Sequence, residues 1–370
     1  MRRTIAINIL VLAAMLIVIN ILSHFILQIY YWNREKTAAT LPAMTNENYS
    51  QIRKEFNQLE TEYQPFIAWK RKPVKKEFTN IDVNGNRLTK NSNSKSKKVI
   101  RFFGGSTMWG AGVEDANTIP SRFGKCTDEY SIVNHGGTGF NSRQSLALFT
   151  NLMVKDDSTN MVVFYDGVND VADLCIKKMS IPGHGREVQM RNELTTINST
   201  GSYFRGKDGI FNLSKQLLSK VFIQNTALLI QGVVGRYFKK SLPDPYCCQT
   251  ELERAIQVAN HLLNTWKVAH QIAEANGIQF IAILQPNLFV GNVENDYLNL
   301  ERRGSLGKNF EAVYPILKKK IETYDWIYDF TEIFDDKKEP LYFDFCHVNK
   351  QGNEIIAKQI CEILDDLNSK

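Results

Sequence analysis

The stretch Lys98-Val99-Ile100-Arg101-Phe102-Phe103-Gly104-Gly105-Ser106-Thr107 decides how this chain is read. Its first half is a short run of apolar and β-preferring residues. Its second half breaks into two glycines and a serine. That pattern is a buried strand followed by a turn tight enough to lift a hydroxyl above the edge of a sheet. Taken alone, Gly-Gly-Ser is also an ordinary turn or an anion nest. It is not a G-x-S-x-G elbow, because Met108 stands at the last glycine position.

The same texture continues downstream. Further strands are predicted over 131–133, 161–165, 278–284 and 326–328. Helical spacing covers 142–154, 251–276, 310–324 and 351–364. In the last helix Ile356, Ile360, Ile363 and Leu364 share one face. Apolar strands alternating with helices predict an α/β fold, a parallel sheet covered on both sides. Such sheets collect their functional residues at the carboxyl ends of the strands.

Three more motifs fall at such ends. Asn134-His135-Gly136-Gly137-Thr138-Gly139 follows the second strand, and a glycine amide there can approach a ligand closely. Gly167-Val168-Asn169-Asp170 follows the third. The Asn169 side chain there can donate to a developing oxyanion, or it can simply cap a turn. Asp344-Phe345-Cys346-His347 precedes the final helix. A carboxylate three residues before a histidine can accept its Nδ1 proton and leave the other nitrogen free to take a proton from a serine.

In order and setting these blocks resemble the SGNH (GDSL-like) hydrolase family, over about residues 98–366. Ser106 matches the first block, Gly136 the second, Asn169 the third, and Asp344 with His347 the last. Val348-Asn349-Lys350-Gln351-Gly352 continues the family's run into its last helix. One departure stands out: the family's Gly-Asp-Ser-Leu is here Gly104-Gly105-Ser106-Thr107. The resemblance implies a three-layer α/β/α, flavodoxin-like fold. It also implies a serine esterase with Ser106 as nucleophile, His347 as base and Asp344 as its orienting acid. The Ser106 amide, the Gly136 amide and the Asn169 side chain would form the oxyanion hole, and neither a metal nor an organic cofactor is required. The family includes lipases, thioesterases, carbohydrate acetylesterases and O-acyltransferases. An acylated glycan of the cell envelope is the expected substrate, with a lipid ester as competitor and acyl transfer as an alternative to hydrolysis. A non-catalytic glycan-binding or assembly protein is the reading from another class, and Gly105 is its best support.

The formal net charge of the 370 residues is +6, with basic residues scattered rather than striped, so nucleic acid is not an expected partner. Residues 1–32 read as a membrane anchor. Arg2 and Arg3 precede a nearly unbroken apolar run from Ile5 to Leu27, and Tyr30, Tyr31 and Trp32 follow where an interfacial belt would lie. Asn8, Asn20, Ser23 and His24 weaken the span. The charges favour a signal anchor with the remainder outside the cytoplasm; a cleaved signal peptide is the alternative. Residues 33–97 read as a stalk and small accessory segment. It contains Ile52, Phe56 and Leu59 at helical spacing, a hairpin turn at Asn84-Gly85, and a flexible linker at 91–96. Residues 98–370 form the hydrolase-like domain, interrupted by an insertion at about 171–248 that reads as a lid or as a packed helical hairpin. Its Tyr203, Phe204 and Tyr237 could stack on sugars or sit in a core. His135, His184, His261 and His270 show no paired pattern. The six cysteines permit disulfides, but spacing does not assign their pairing.

Overall fold

The structure, a computed structural model, describes residues 2–39, 48–155, 158–192, 194, 225–230, 244–293, 297–298 and 305–369. These fall into two compact units, one of residues 1–40 and 189–244, the other of 41–188 and 245–370.

In the second unit five parallel strands form the central sheet: β5 (Lys98–Gly104), β6 (Tyr130–Asn134), β7 (Met161–Asp166), β8 (Gln279–Leu284) and β9 (Ile327–Asp329). Their order is β6-β5-β7-β8-β9, so the chain reverses direction across the sheet between β5 and β7. Ligands of doubly wound sheets bind at that reversal, beyond the carboxyl ends of the two strands. The strands run with alternating faces into two cores. Phe103, Phe164 and Phe280 point to one, with α5 (Ser142–Val154), α7 (Leu252–Ala275) and α8 (Leu306–Ile321). Phe102, Val163 and Ile281 point to the other, with α4 (Ile119–Phe123) and α9 (Lys350–Asn368). This is the expected three-layer α/β/α architecture.

The accessory segment is folded onto this unit. It contains α2 (Tyr49–Asn57), the antiparallel pair β1 (Thr61–Gln64) and β2 (Ala68–Arg71), and the short pair β3 (Val74–Lys75) and β4 (Asn80–Ile81). The Asn84-Gly85 turn forms as expected, with Gly85 at φ +75° and its amide donating to Asp82 O. Beyond the turn Arg87 bridges to Asn134 at the end of β6. His135 fastens the same seam: its ring stacks on Phe103 at 5.0 Å and its nitrogens lie 3.0 Å from Asn86 Oδ1 and Arg101. Burial and the neighbouring cations Lys70 and Arg101 hold it well below the ordinary histidine pKa, so it is a neutral structural residue.

Residues 91–96 correct the expectation of a flexible linker. Asn93 donates through its side chain to Asp128 O and through its backbone amide to Tyr130 O, and Ser92 Oγ accepts from Ile132 N at 2.7 Å. Their polar side chains, read as solvent-loving, satisfy the open edge of β6 instead.

Two disulfides lie in this unit, Cys126–Cys361 and Cys175–Cys248, while Cys247 and Cys346 are buried and not disulfide-bonded. The second bridge, together with pairing of Ile176 and Tyr246, joins the two ends of the inserted chain. The described part of α6 (Val168–Leu174) and the residues to 188 pack in this unit, so the inserted unit proper spans 189–244 rather than 171–248. Tyr203, Phe204 and Tyr237 lie outside the described residues.

In the first unit α1 (Arg2–Ala39) is one continuous helix, running seven residues past the expected end of the anchor at 32. Residues 33–39 include Arg34, Glu35, Lys36 and two alanines, all strong helix formers that give no reason to stop. Ile7–Tyr30 is a 24-residue apolar stretch. At 1.5 Å per residue it is about 36 Å long, enough to cross a hydrocarbon core of about 30 Å. Asn20 and Ser23, which weaken the span on paper, are buried here. Asn20 Oδ1 accepts from the amides of Asn225 (2.8 Å) and Thr226 (3.3 Å), and Ser23 donates to Thr226 Oγ1. Polar groups in an apolar span are retained where they find such partners.

Candidate active site

Ser106 is the first residue of α3 (Ser106–Trp109), a single turn directly after β5. The chain can turn so sharply because Gly104 adopts φ +156° and lies against β7; a Cβ there would come within 2.4 Å of Tyr165 O. The amide of Ser106 opens the helical turn, so it has no intrahelical acceptor, and none exists among the described residues.

His347 arrives from the other side of the sequence. Its loop is closed by backbone bonds from Phe343 N to His347 O and from Asn349 N to Leu341 O, both 2.8 Å. Asn349 then caps α9, accepting from the amides of Gln351 and Gly352. Within the loop, Asp344 Oδ1 accepts from the backbone amides of Cys346 (2.9 Å) and His347 (3.0 Å). The same carboxylate meets His347 Nδ1 at 2.9 Å, and His347 Nε2 lies 2.8 Å from Ser106 Oγ. The three residues form one hydrogen-bonded line, 241 positions apart in sequence from serine to histidine.

Burial pushes both Asp344 and His347 toward their neutral forms. Their mutual attraction and hydrogen bonds outweigh it, so the carboxyl is held well below the usual range and the imidazole is raised well above 6.5. The two side chains keep 31 and 21 % of their surface exposed, so solvent moderates that attraction. Asp344, Cys346 and His347 also offer ligand atoms within 4.8 Å of one another. A metal there would have to displace Asp344 or Ser106 from the imidazole nitrogens, because both nitrogens are already engaged.

Asn169 sits in the first turn of α6, which follows β7 through Gly167 at φ +126°. Its Nδ2 donates to Phe140 O at 2.7 Å, and its second N–H has no partner among the described residues. The adjacent Asp170 is buried and accepts from the Ser142 amide and hydroxyl, tying α6 to the start of α5. The fit around Asn169 explains Gly105. A Cβ at Gly105 would lie 2.5 Å from Asn169 Nδ2 and 3.0 Å from Phe140 O. The aspartate of the family pattern has no room there. The departure is therefore a packing requirement of this site. Gly105→Ala displaces Asn169 and, with Asn169→Ala, is expected to lower turnover of p-nitrophenyl acetate by about 10²–10³-fold, the usual effect of losing one oxyanion donor. Unchanged turnover in both folded variants would remove Asn169 from the chemistry.

Gly136 is corrected. Its amide donates to Asn134 Oδ1 at 2.9 Å, and a Cβ on it would come within 2.4 Å of Trp109 N. This glycine lets the loop pack on α3 and does not line the pocket. Gly139 does: it has φ +78°, lines the pocket, and its amide has no acceptor among the described residues. Three glycines in six residues made the choice ambiguous in sequence.

The pocket above Ser106 has a volume of about 350 Å³. Thr138 and Gly139 line one side, and Gly112, Phe343 and His347 others. Tyr49, Arg53, Phe56 and Asn57 form a wall from α2. Sequence reasoning missed this wall. Its signal was the spacing of Tyr49, Arg53 and Phe56, which places them on one helical face.

No family model and no curated protein matches the chain. Several solved structures do at low identity. A member of the lipolytic G-D-S-L family from Veillonella parvula is 12% identical, with 72% of this chain and 97% of that one covered and a TM-score of 0.40. A carbohydrate acetylesterase from Sinorhizobium meliloti is 10% identical, with 73% and 100% covered and a TM-score of 0.37. An aryl esterase from M. smegmatis is 11% identical, with 73% and 99% covered and a TM-score of 0.38. By strand order the chain has a three-layer α/β/α fold with a five-stranded parallel sheet, and the order of its motifs and the line from Ser106 through His347 to Asp344 resemble those of SGNH (GDSL-like) hydrolases.

Proposed function

We propose that the protein is a serine esterase that removes short acyl groups, O-acetyl above all, from a cell-envelope glycan. The observation that carries this reading is the 2.8 Å contact between Ser106 Oγ and His347 Nε2, with Asp344 behind it, at the floor of an open pocket.

Ser106 Oγ attacks the acyl carbonyl carbon as its proton passes to His347 Nε2. The carbonyl oxygen becomes an oxyanion and takes hydrogen bonds from the Ser106 amide, the Gly139 amide and Asn169 Nδ2. Collapse of this intermediate breaks the ester bond, and His347 returns the proton to the leaving alcohol. Water, deprotonated by the same histidine, then releases the acid from Ser106. Asp344 stabilises the imidazolium in both halves. A sugar hydroxyl in place of water would make the same site an acyltransferase.

The aromatic rings of Tyr49, Phe56 and Phe343 suit the apolar faces of sugars. The binding-protein reading loses its main support, since Gly105 is explained by packing. Labelling of the full-length chain in detergent by a fluorophosphonate probe tests the proposal. It should vanish in Ser106→Ala and weaken in His347→Ala; a folded chain that never labels would return the protein to the non-catalytic class.

The two disulfides of the catalytic unit support an oxidising compartment, and Arg2 and Arg3 before the apolar helix support a cytoplasmic N-terminus. Both features support the reading that the catalytic unit lies outside the cytoplasm on a single-pass anchor. A topology reporter fused after Lys370 is expected to read the extracytoplasmic side; a cytoplasmic signal would overturn this placement.

A further inference from the structure

The pocket beside the triad contains a cation that the reaction does not use. Arg53 reaches it from α2, half-buried, and its contact among the described residues is the hydroxyl of Tyr49 at 3.3 Å. Tyr49 is buried and its pKa is raised by that burial, so the hydroxyl stays neutral and orients the guanidinium without cancelling its charge.

Two more arginines stand behind the Thr138–Gly139 side. Arg71 donates to Thr138 Oγ1 (3.2 Å) and Leu59 O (2.7 Å) and lies over the ring of Phe56 at 5.0 Å. Arg186 lies over Trp69 at 4.6 Å, and Trp69 in turn donates to Thr138 O at 3.0 Å. Burial, then the like charge of Arg186, pulls Arg71 below its ordinary pKa. Among the described residues none of the three arginines pairs with a carboxylate.

The nearby acids are already committed. Glu55 accepts from the amides of Glu77 and Phe78, Glu60 pairs with Lys72, Glu187 accepts from Ser180, and Asp344 holds His347. The result is a pocket beside Ser106 whose α2 wall carries the positive charge of Arg53. A guanidinium presents paired donors that match a carboxylate or phosphate. A neutral acetylated sugar or a lipid acyl chain would leave it unanswered.

We propose that the substrate is an acyl ester on an anionic glycan, whose carboxylate or phosphate is held by Arg53 while Ser106 attacks the neighbouring ester. The substrate class rests on the esterase reading; the anion site does not. Arg71, bound to the pocket-lining Thr138, and Arg186, over Trp69, add positive charge behind that side of the pocket and favour an anionic over a neutral glycan.

The test is titration calorimetry on the full-length chain in detergent, using oligogalacturonate, poly(glycerol phosphate) and neutral xylo-oligosaccharide as probes. One anionic oligomer is expected to bind at least about 10-fold more tightly than the neutral one, and which one does separates carboxylate from phosphate. Arg53→Ala should weaken that binding by about 10- to 100-fold, the usual range for a hydrogen bond to a charged group, and Arg53→Lys should restore part of it. Equal affinity for charged and neutral oligomers, no binding at all, or Arg53→Ala with undiminished anion affinity would overturn the proposal. Probe labelling of Ser106 in the same preparation separates the two failures. Labelling without anion preference removes only the anion site, and anion binding without labelling removes only the esterase.

Discussion

Ser106→Ala is expected to lower kcat toward p-nitrophenyl acetate by on the order of 10⁴- to 10⁶-fold, and His347→Ala by a similar amount. The reason is that serine and histidine act as one unit. Without the hydroxyl there is no nucleophile, and without the imidazole the 2.8 Å contact that removes the hydroxyl proton is gone. The double variant should therefore be little worse than either single one. The pH profile gives an independent readout. Asp344 raises the His347 pKa well above 6.5, and only the neutral imidazole can accept the serine proton. The group is protonated below that elevated value, so kcat/KM should climb as pH rises through it, on the alkaline side of 6.5. Residual activity of His347→Ala should lack that limb. A loss under 10-fold in Ser106→Ala, or a limb that survives removal of His347, would sink the assignment.

The largest effect on stability is expected at Arg87. Its side chain is 1 % exposed and pairs with Asp115 at 2.9 Å. It also donates to the carbonyls of Gly110 (2.5 Å) and Val113 (2.6 Å), and its guanidinium lies over Trp109 at 4.3 Å. One residue of the accessory segment thus holds the whole loop that leaves Ser106. Arg87→Ala would strand the buried Asp115 charge and several carbonyls, at a cost of about 3–5 kcal/mol. Urea unfolding of the full chain in detergent measures it. Arg87→Met with Asp115→Leu should lose less than Arg87→Ala alone, because it leaves no charge unpaired. A loss below about 1 kcal/mol in Arg87→Ala would show that the loop is held by other contacts.

Local pattern was enough for the sheet and the reactive line. The strands from Val99 to Phe103 and from Met161 to Tyr165 are buried on both faces, and burial on both faces writes an uninterrupted apolar run that can be read directly. Ser106, Asn169, Asp344 and His347 lie at strand ends or before the last helix, where chain direction alone brings them to one edge. Tertiary structure decided what depends on which neighbour arrives. Gly139 rather than Gly136 faces the pocket because Asn134 and Trp109 claim the other glycine. Gly105 cannot carry a side chain because Asn169, 64 residues later, fills the space. Residues 91–96 are fastened because an open strand edge lies beside them. Cys248, not its neighbour Cys247, is bridged, and Tyr49, Arg53 and Phe56 become a wall of the active site only because α2 folds back over it. Periodicity records how one segment meets solvent and core; it holds no record of which distant atom is within 3 Å.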